Sequence, residues 1–403
     1  MSALGISFLV ATLLIFLFRR IGQPTIVACI VGGFLLQFFR PSIPPFHMDT
    51  LLDLQTLGIV LLLVVAGMQV DVDQALRNWR MLLLAGMQVG VGLLLGALLT
   101  IGASSLGWMS VQGNAGIAVS ALCLTLSSTA LVVEGLRSRG AADTPFGQAI
   151  LLLMLFQDVV AVIGLSLIGL PGNEGFSAAA GSPSFLFLQF VGATVVAVLI
   201  GRTVMVKIIE KIRYDEGLLL IFVLGWAAGL GGIAVESGFS PSVAGFLAGV
   251  ALSFTPHKSA IEVRVEPLKV FGVTIYFIFL GSTLPVGHLG WHQLWPIVLA
   301  TVLIVAVRPW TTAWLARATG MTPRDASRFG LTIGQGSEFS MVLAASAYHA
   351  KIFDESTFLV IVMASVLSMV LSSWVEIVFR RRGREGRIEE VDGVDAMEAD
   401  PAA

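Results

Sequence analysis

Charge is scarce in this chain. Of 403 residues, 24 are Lys or Arg and 26 are Asp or Glu, 12% together against 56% hydrophobic, and mean hydropathy is +0.90. That excludes a soluble globular domain and describes a polytopic membrane protein. The net charge of −2 carries little information, because in a membrane protein the placement of charge outweighs its sum. Cysteine is nearly absent: Cys29 and Cys123 both fall within apolar segments, which leaves no disulfide framework and no C-x-x-C metal or redox site. The five histidines, His47, His257, His288, His292 and His349, fall in loops or near helix ends. None is placed as base to a buried nucleophile, and only His257 is a candidate for pH sensitivity. With no H-E-x-x-H, no Gly-x-Ser-Gly beside a buried His and no second buried Asp, an intramembrane hydrolase is disfavoured. No enzyme, no cofactor and no nucleic-acid partner is expected.

What is present is apolar sequence in spans long enough to cross a bilayer, about 20 residues each. Thirteen windows can be laid down, near 3–18, 23–38, 51–69, 79–103, 113–135, 146–170, 184–205, 217–236, 241–256, 267–285, 293–316, 326–347 and 356–379. The first has no basic residue before it and no small-residue cleavage signal after it, so it reads as a retained helix and not a signal peptide. Loop charges test the count. All but three of the 24 basic residues fall on one side of the alternation, with Arg40 and Lys351 on the other and Arg308 inside a helix. By the positive-inside rule the amino terminus is expected outside and the carboxyl terminus in the cytoplasm.

The two halves share a pattern. Leu54, Gly58 and Gly67 are spaced as Leu268, Gly272 and Gly281 are, 214 positions further on, and Pro24-Thr25-Ile26 with Gly32 matches Pro241-Ser242-Val243 with Gly249. Matched helices lie seven crossings apart, an odd number, so the halves are expected in opposite orientations. Inverted repeats mark secondary transporters, whose binding site lies near the midplane and is built from interrupted helices. Two windows look interrupted: the fifth carries Thr125-Leu126-Ser127-Ser128-Thr129, and the twelfth carries Gly334-Gln335-Gly336-Ser337-Glu338-Phe339-Ser340. The glycines of the second run each cost about 1 kcal/mol against alanine in a helix interior.

Two charges lie deep in apolar sequence. Asp158 sits within the run from Phe146 to Leu170 with Gln157 as its only strongly polar neighbour, and a carboxylate at that depth is expected to bind an ion or relay a proton. Arg308 lies mid-span ahead of Pro309. It cannot readily lose its proton, so it needs a partner: either an ion pair with Glu338 or a reach to the ends of the broken helices.

Leu155-Phe156-Gln157-Asp158, with Leu126-Ser127-Ser128-Thr129-Ala130 before it and Gly334-Gln335-Gly336-Ser337-Glu338-Phe339 after it, resembles the membrane domain of the Kef-type branch of the cation:proton antiporter-2 family, across residues 1–380. The resemblance implies an all-α sodium/proton-antiporter-like fold with two crossed discontinuous helices. Residues 1–170 form the first inverted repeat, with dimerisation helices 1–3 and core helices 4–6. Residues 171–216 are a linker helix, and residues 217–380 the second repeat, with dimerisation helices 8–10 and core helices 11–13. It further implies a homodimer, with Asp158 as the cation- and proton-binding carboxylate, Thr129 as a cation ligand beside it, Ser127 and Ser128 in the same broken turn, and Gln157 next to the site. Arg308 matches a family position that holds a basic residue. Gln335, Glu338, Gly334 and Gly336 belong to the second broken helix, where Ser337 replaces a glycine common among relatives.

Competition of one cation, K+ more readily than Na+, and one proton for Asp158 implies electroneutral exchange by an elevator-like movement of the core, since the preceding position is the neutral Gln157. A cation channel and a sodium-coupled symporter for an organic solute are the alternatives. Relatives commonly carry a nucleotide-binding regulatory domain. No dinucleotide fingerprint occurs in this sequence, so gating by an attached domain is not expected, and a separate regulatory subunit stays open. Residues 381–403 are expected to be a disordered cytoplasmic tail, acidic toward its end, and the basic cluster Arg380-Arg381-Arg382 at its start is expected to sit against anionic lipid headgroups. The membrane expected is a bacterial inner membrane.

Overall fold

The computed structural model describes residues 2–38, 48–70, 79–142, 144–168, 183–236, 241–285, 287 and 290–375. Arg40, His47, Arg77, His288, the tail from Arg380 onward and residues 171–182 of the 171–216 linker lie outside them. The described residues are helical almost throughout, as apolar sequence in lipid must be, because only an internally bonded backbone satisfies its own N–H and C=O groups there.

In chain order the helices are α1 (Ser2–Arg20), α2 (Thr25–Phe38), α3 (Met48–Met68), α4 (Trp79–Ser105), α5 (Gly113–Thr125), α6 (Thr129–Ser138), α7 (Pro145–Ile168), α8 (Pro183–Ile200), α9 (Val206–Ile212), α10 (Glu216–Glu236), α11 (Pro241–Ser253), α12 (Lys258–Thr283), α13 (Trp291–Val302), α14 (Arg308–Ala318), α15 (Pro323–Thr332), α16 (Glu338–His349) and α17 (Glu355–Val375). One π-turn, Gly201–Met205, joins α8 to α9 and another, Leu303–Val307, joins α13 to α14, so each pair continues as one rod. Helices α7, α8, α11 and α15 open on proline, which loses nothing at a position whose N–H has no helical partner. Gly140, after α6, and Gly320, after α14, take left-handed φ of 61° and 95°, which ends those helices without a Cβ clash.

Among the described residues, seven helical spans are long and apolar enough to cross a membrane: 79–105, 113–138, 145–166, 188–212, 216–233, 291–318 and 355–375. Shorter apolar helices cover 25–37, 56–68 and 242–253. Their outward faces are apolar too, with Leu94, Leu98, Ile221 and Trp310 all exposed, a surface suited to lipid and not to water.

Two groups of helices position the site. In the first, α3 crosses α11 and α12, and α12 crosses α2. The crossings are close because glycines meet there: a Cβ on Gly58 would strike the backbone of Gly272, one on Gly67 that of Phe246, and one on Gly281 that of Ile30. Small residues are what lets membrane helices approach to backbone contact. Gly245 and Gly249, glycines that could have served packing between subunits, lie against Val60 and Val64 of the same chain. The second group gathers α4, α5, α7, α14 and α16 around the two interrupted windows.

Candidate functional site

Both windows expected to be interrupted are. The first breaks after Thr125: Leu126 is extended, with φ −71° and ψ 146°, and α6 restarts at Thr129 with Ser128 as N-cap, its hydroxyl accepting from the Leu131 N–H. The second breaks between α15 and α16, where Ser337 caps the restart and its hydroxyl accepts from the Phe339 N–H at 3.0 Å. The position at which this sequence departs from the commoner glycine is therefore a helix cap, and serine is among the best residues for that role. Each break exposes carbonyls at the end of one half-helix and amides at the start of the next.

Arg308 gathers the carbonyls. Its Nη1 donates to Leu124 O at 3.2 Å, Thr125 O at 2.8 Å and Leu126 O at 2.8 Å, all at the end of α5. Its Nη2 donates to Ile333 O and Gln335 O, both at 2.6 Å, at the end of α15. The side chain is buried, so a fixed positive charge lies at the negative ends of two half-helices, where the dipoles favour it. The planar fork reaches both breaks at once, which a single ammonium could not. Of the two partners open to Arg308, the structure shows the ends of the broken helices, and the ion pair with Glu338 does not form. The terminal guanidinium nitrogens are committed to backbone oxygens, and Glu338, buried at the first turn of α16, keeps its Oε2 without a hydrogen-bond partner.

The acid lies at the other side of the first break. Asp158, buried in α7, receives the Thr129 hydroxyl, whose Oγ1 is 3.1 Å from Oδ1 and 3.2 Å from Oδ2. Gln157, next to it, accepts the Ser127 N–H on Oε1 at 2.7 Å, and the Ser127 hydroxyl donates to Ile333 O at 3.1 Å, tying one break to the other. In the second break, Gly336 N donates to Ser368 Oγ at 2.8 Å, and a Cβ on Gly336 would lie 2.8 Å from the Ser365 Cα, so α17 passes against this backbone. Gln335 Oε1 accepts the Ser372 hydroxyl at 3.0 Å and its Nε2 donates to Thr332 O at 3.0 Å. Gly334 lies against the Pro309 ring. Thus Ser127, Ser128, Thr129, Gln157 and Asp158 cluster at the first break, and Arg308 binds both. Gln335, Gly336, Ser337 and Glu338 belong to the second.

A carboxylate with a hydroxyl against it supplies oxygen ligands, the kind that suit a hard cation. The same carboxylate can take a proton instead. A family profile described as "Sodium/hydrogen exchanger, transmembrane" matches residues 6–380. The chain belongs to this family. It is an integral membrane protein of an exchanger family and not an enzyme, as the sequence led one to expect.

Among curated members of known name, the glutathione-regulated potassium-efflux system protein KefC of Cronobacter sakazakii is 28% identical over 392 residues, covering 93% of this chain and 60% of that protein. KefC of Salmonella typhimurium is 27% identical over 379 residues, covering 92% and 58%. The chain thus spans about three fifths of the length of these curated relatives. The fold matches that of the sodium proton antiporter MjNhaP1 from Methanocaldococcus jannaschii at pH 8, with a TM-score of 0.72 at 17% identity over 93% of this chain and 96% of that one.

Three side chains at the breaks, Gln88, Ser368 and Ser372, were not singled out from sequence, and Ser340 was named only as part of the second run. Gln88 accepts Gln157 Nε2 at 2.8 Å, Ser340 donates to Cys123 O at 2.6 Å, and Ser368 and Ser372 bind the second break from α17. Gln88 left a signal, since it is the lone polar residue of α4 between Arg80 and Thr100. The serines did not, because serine is common in packed membrane helices.

Proposed function

We propose that this chain exchanges one monovalent cation, K+ in preference to Na+, for one proton across a bacterial inner membrane. Cation and proton compete for Asp158, and the core helices carry the site between the two faces in an elevator-like movement. The observation that carries the reading is the buried carboxylate of Asp158 with the Thr129 hydroxyl within 3.2 Å of both its oxygens, at the mouth of a broken helix. Protonating Asp158 destroys the anionic ligand that a cation needs, so one site cannot hold both. With the neutral Gln157 beside it, one charge moves each way and the cycle transfers none. Membership in the exchanger family supports the exchange, and the potassium-efflux naming of the curated relatives supports K+.

Thirteen crossings, an amino terminus outside, a cytoplasmic carboxyl terminus and inverted repeats of residues 1–170 and 217–380 belong to the same reading. They are supported by the loop charges and by the recurring glycines. A homodimer completes it, and a separate regulatory subunit is compatible with it.

The test is cation-driven dequenching of a pH-sensitive dye in proteoliposomes, K+ against Na+, for the wild type and Asp158→Asn, first with the membrane potential clamped at zero and then with a potential imposed. Exchange in the wild type and none in the variant, unaltered by an imposed potential, is the expected result. Cation-selective conductance without proton flux would replace the exchanger by a channel.

A further inference from the structure

Gln88 lies on α4, outside every motif that points to the site. Its neighbours along one helix face, Gly92, Gly96 and Thr100, recur every fourth residue and are buried with it. A Cβ on Gly92 would lie 2.5 Å from the Thr125 Cγ2, and one on Gly96 2.8 Å from the Ala121 Cα, so the face lies directly on α5. Thr100 extends the contact, with its Oγ1 2.9 Å from Ser120 Oγ. This close approach brings Gln88 beside the first break, where its Oε1 accepts Gln157 Nε2 at 2.8 Å.

The Gln157 amide could turn either way. Its oxygen must face the Ser127 N–H, which it does at 2.7 Å, because another donor there would leave that buried amide unbonded. Its nitrogen then needs an acceptor, and Gln88 supplies it. Gln88 is itself buried, and its Nε2 has no partner, a cost that an apolar residue at this position would avoid.

We infer that Gln88 is a positioning residue of the cation site: it fixes the Gln157 amide so that its carbonyl, not its NH2 group, holds the Ser127 N–H of the first break. Its effect passes through Gln157 and then through the backbone of the turn between Leu126 and Ser128. If it is lost, the amide is free to present donor hydrogens beside Asp158, which repel a cation and compete for the carboxylate. The consequence for transport rests on the exchange reading given above.

Two arms test it. Hydrogen exchange by mass spectrometry reads the Ser127 amide in the detergent-solubilised full chain, with the α11 and α12 peptides reporting an intact fold. Gln88→Met and Gln88→Asn remove the acceptor or withdraw it, and each is expected to raise exchange at the break about tenfold, the same effect expected of Gln157→Leu. Gln88→Glu keeps an acceptor oxygen and is expected to keep the protection. Wild-type exchange in Gln88→Met and Gln88→Asn would overturn the inference, and so would equal loss in Gln88→Glu, which would mark a packing role.

The transport arm uses the vesicle assay. Gln88→Asn is expected to raise the cation KM about tenfold with kcat within twofold, and to add nothing when combined with Gln157→Leu. Additive effects would mean that Gln88 acts elsewhere. Should the wild type show no coupled proton flux, the exchange reading falls while the hydrogen-exchange arm still decides what Gln88 does.

Discussion

The Thr129 hydroxyl lies almost equally far from the two oxygens of Asp158, 3.1 Å and 3.2 Å. One hydroxyl proton cannot bond both fully, so the pair is poised to reopen. A cation entering between them takes the carboxylate and turns the hydroxyl lone pair inward. Thr129→Val removes that lone pair at nearly constant volume and is expected to raise the cation KM about tenfold or more, whereas Thr129→Ser stays within a few-fold of wild type. Initial rates against cation concentration in vesicles read both.

The proposed competition of cation and proton for Asp158 fixes an expected pH dependence. Raising pH removes the competing proton, so the apparent cation KM falls as pH rises. On the acid side of the transition it changes about tenfold per pH unit, and it reaches a plateau on the alkaline side. Rates at saturating cation, with pH equal on both faces, change far less than KM does. A KM independent of pH from 5 to 9 would mean that cation and proton use separate groups.

Arg308 holds the ends of α5 and α15 together through five backbone oxygens. Lysine carries a single nitrogen that cannot span both breaks. Arg308→Lys strands several buried carbonyls and is expected to cost about 3 kcal/mol or more, each unmet group being worth roughly 1–3 kcal/mol. It should show as a lower melting temperature in detergent. Glu338→Gln leaves those contacts in place and should not destabilise the protein. An ion pair between the two residues would make both substitutions costly.

Asp158, Arg308 and both interrupted helices were legible because a charge or paired glycines in apolar sequence carry a cost that shows in the residue letters. The partners of Arg308 were legible only as two alternatives, Glu338 or the ends of the broken helices, of which the fold takes the second. Carbonyl oxygens belong to every residue and leave no trace in composition, so the sequence could not decide between them. Gln88 was visible as a lone polar residue, but its spatial link to Gln157, 69 positions away, depends on the α4–α5 contact at Gly92 and Gly96. The polytopic membrane character was read from hydropathy and loop charge, which sum over many residues, and the antiporter-like fold from the resemblance of three short motifs. The hydrogen bonds of the site depend on single distances, which no sum preserves.

The glycines common to both halves allow a test of the packing that carries the site. Gly58 on α3 and Gly272 on α12 are each other's nearest neighbours, backbone against backbone, so a methyl on either must push the two helices apart. Overpacking of this kind costs about 1–3 kcal/mol, and both Gly58→Ala and Gly272→Ala are expected to lower the melting temperature in detergent. Their effects should not add. Once one methyl has separated the helices, the second enters space already opened, and the double variant should lose clearly less than the sum of the two single losses. Gly90, with nothing within 4 Å of an added Cβ, is the control. Gly90→Ala should be neutral or stabilise α4 by up to about 1 kcal/mol through helix propensity alone. Full additivity of Gly58→Ala and Gly272→Ala would mean that the two glycines relax independently, and the close crossing of α3 and α12 would not be the contact that holds them.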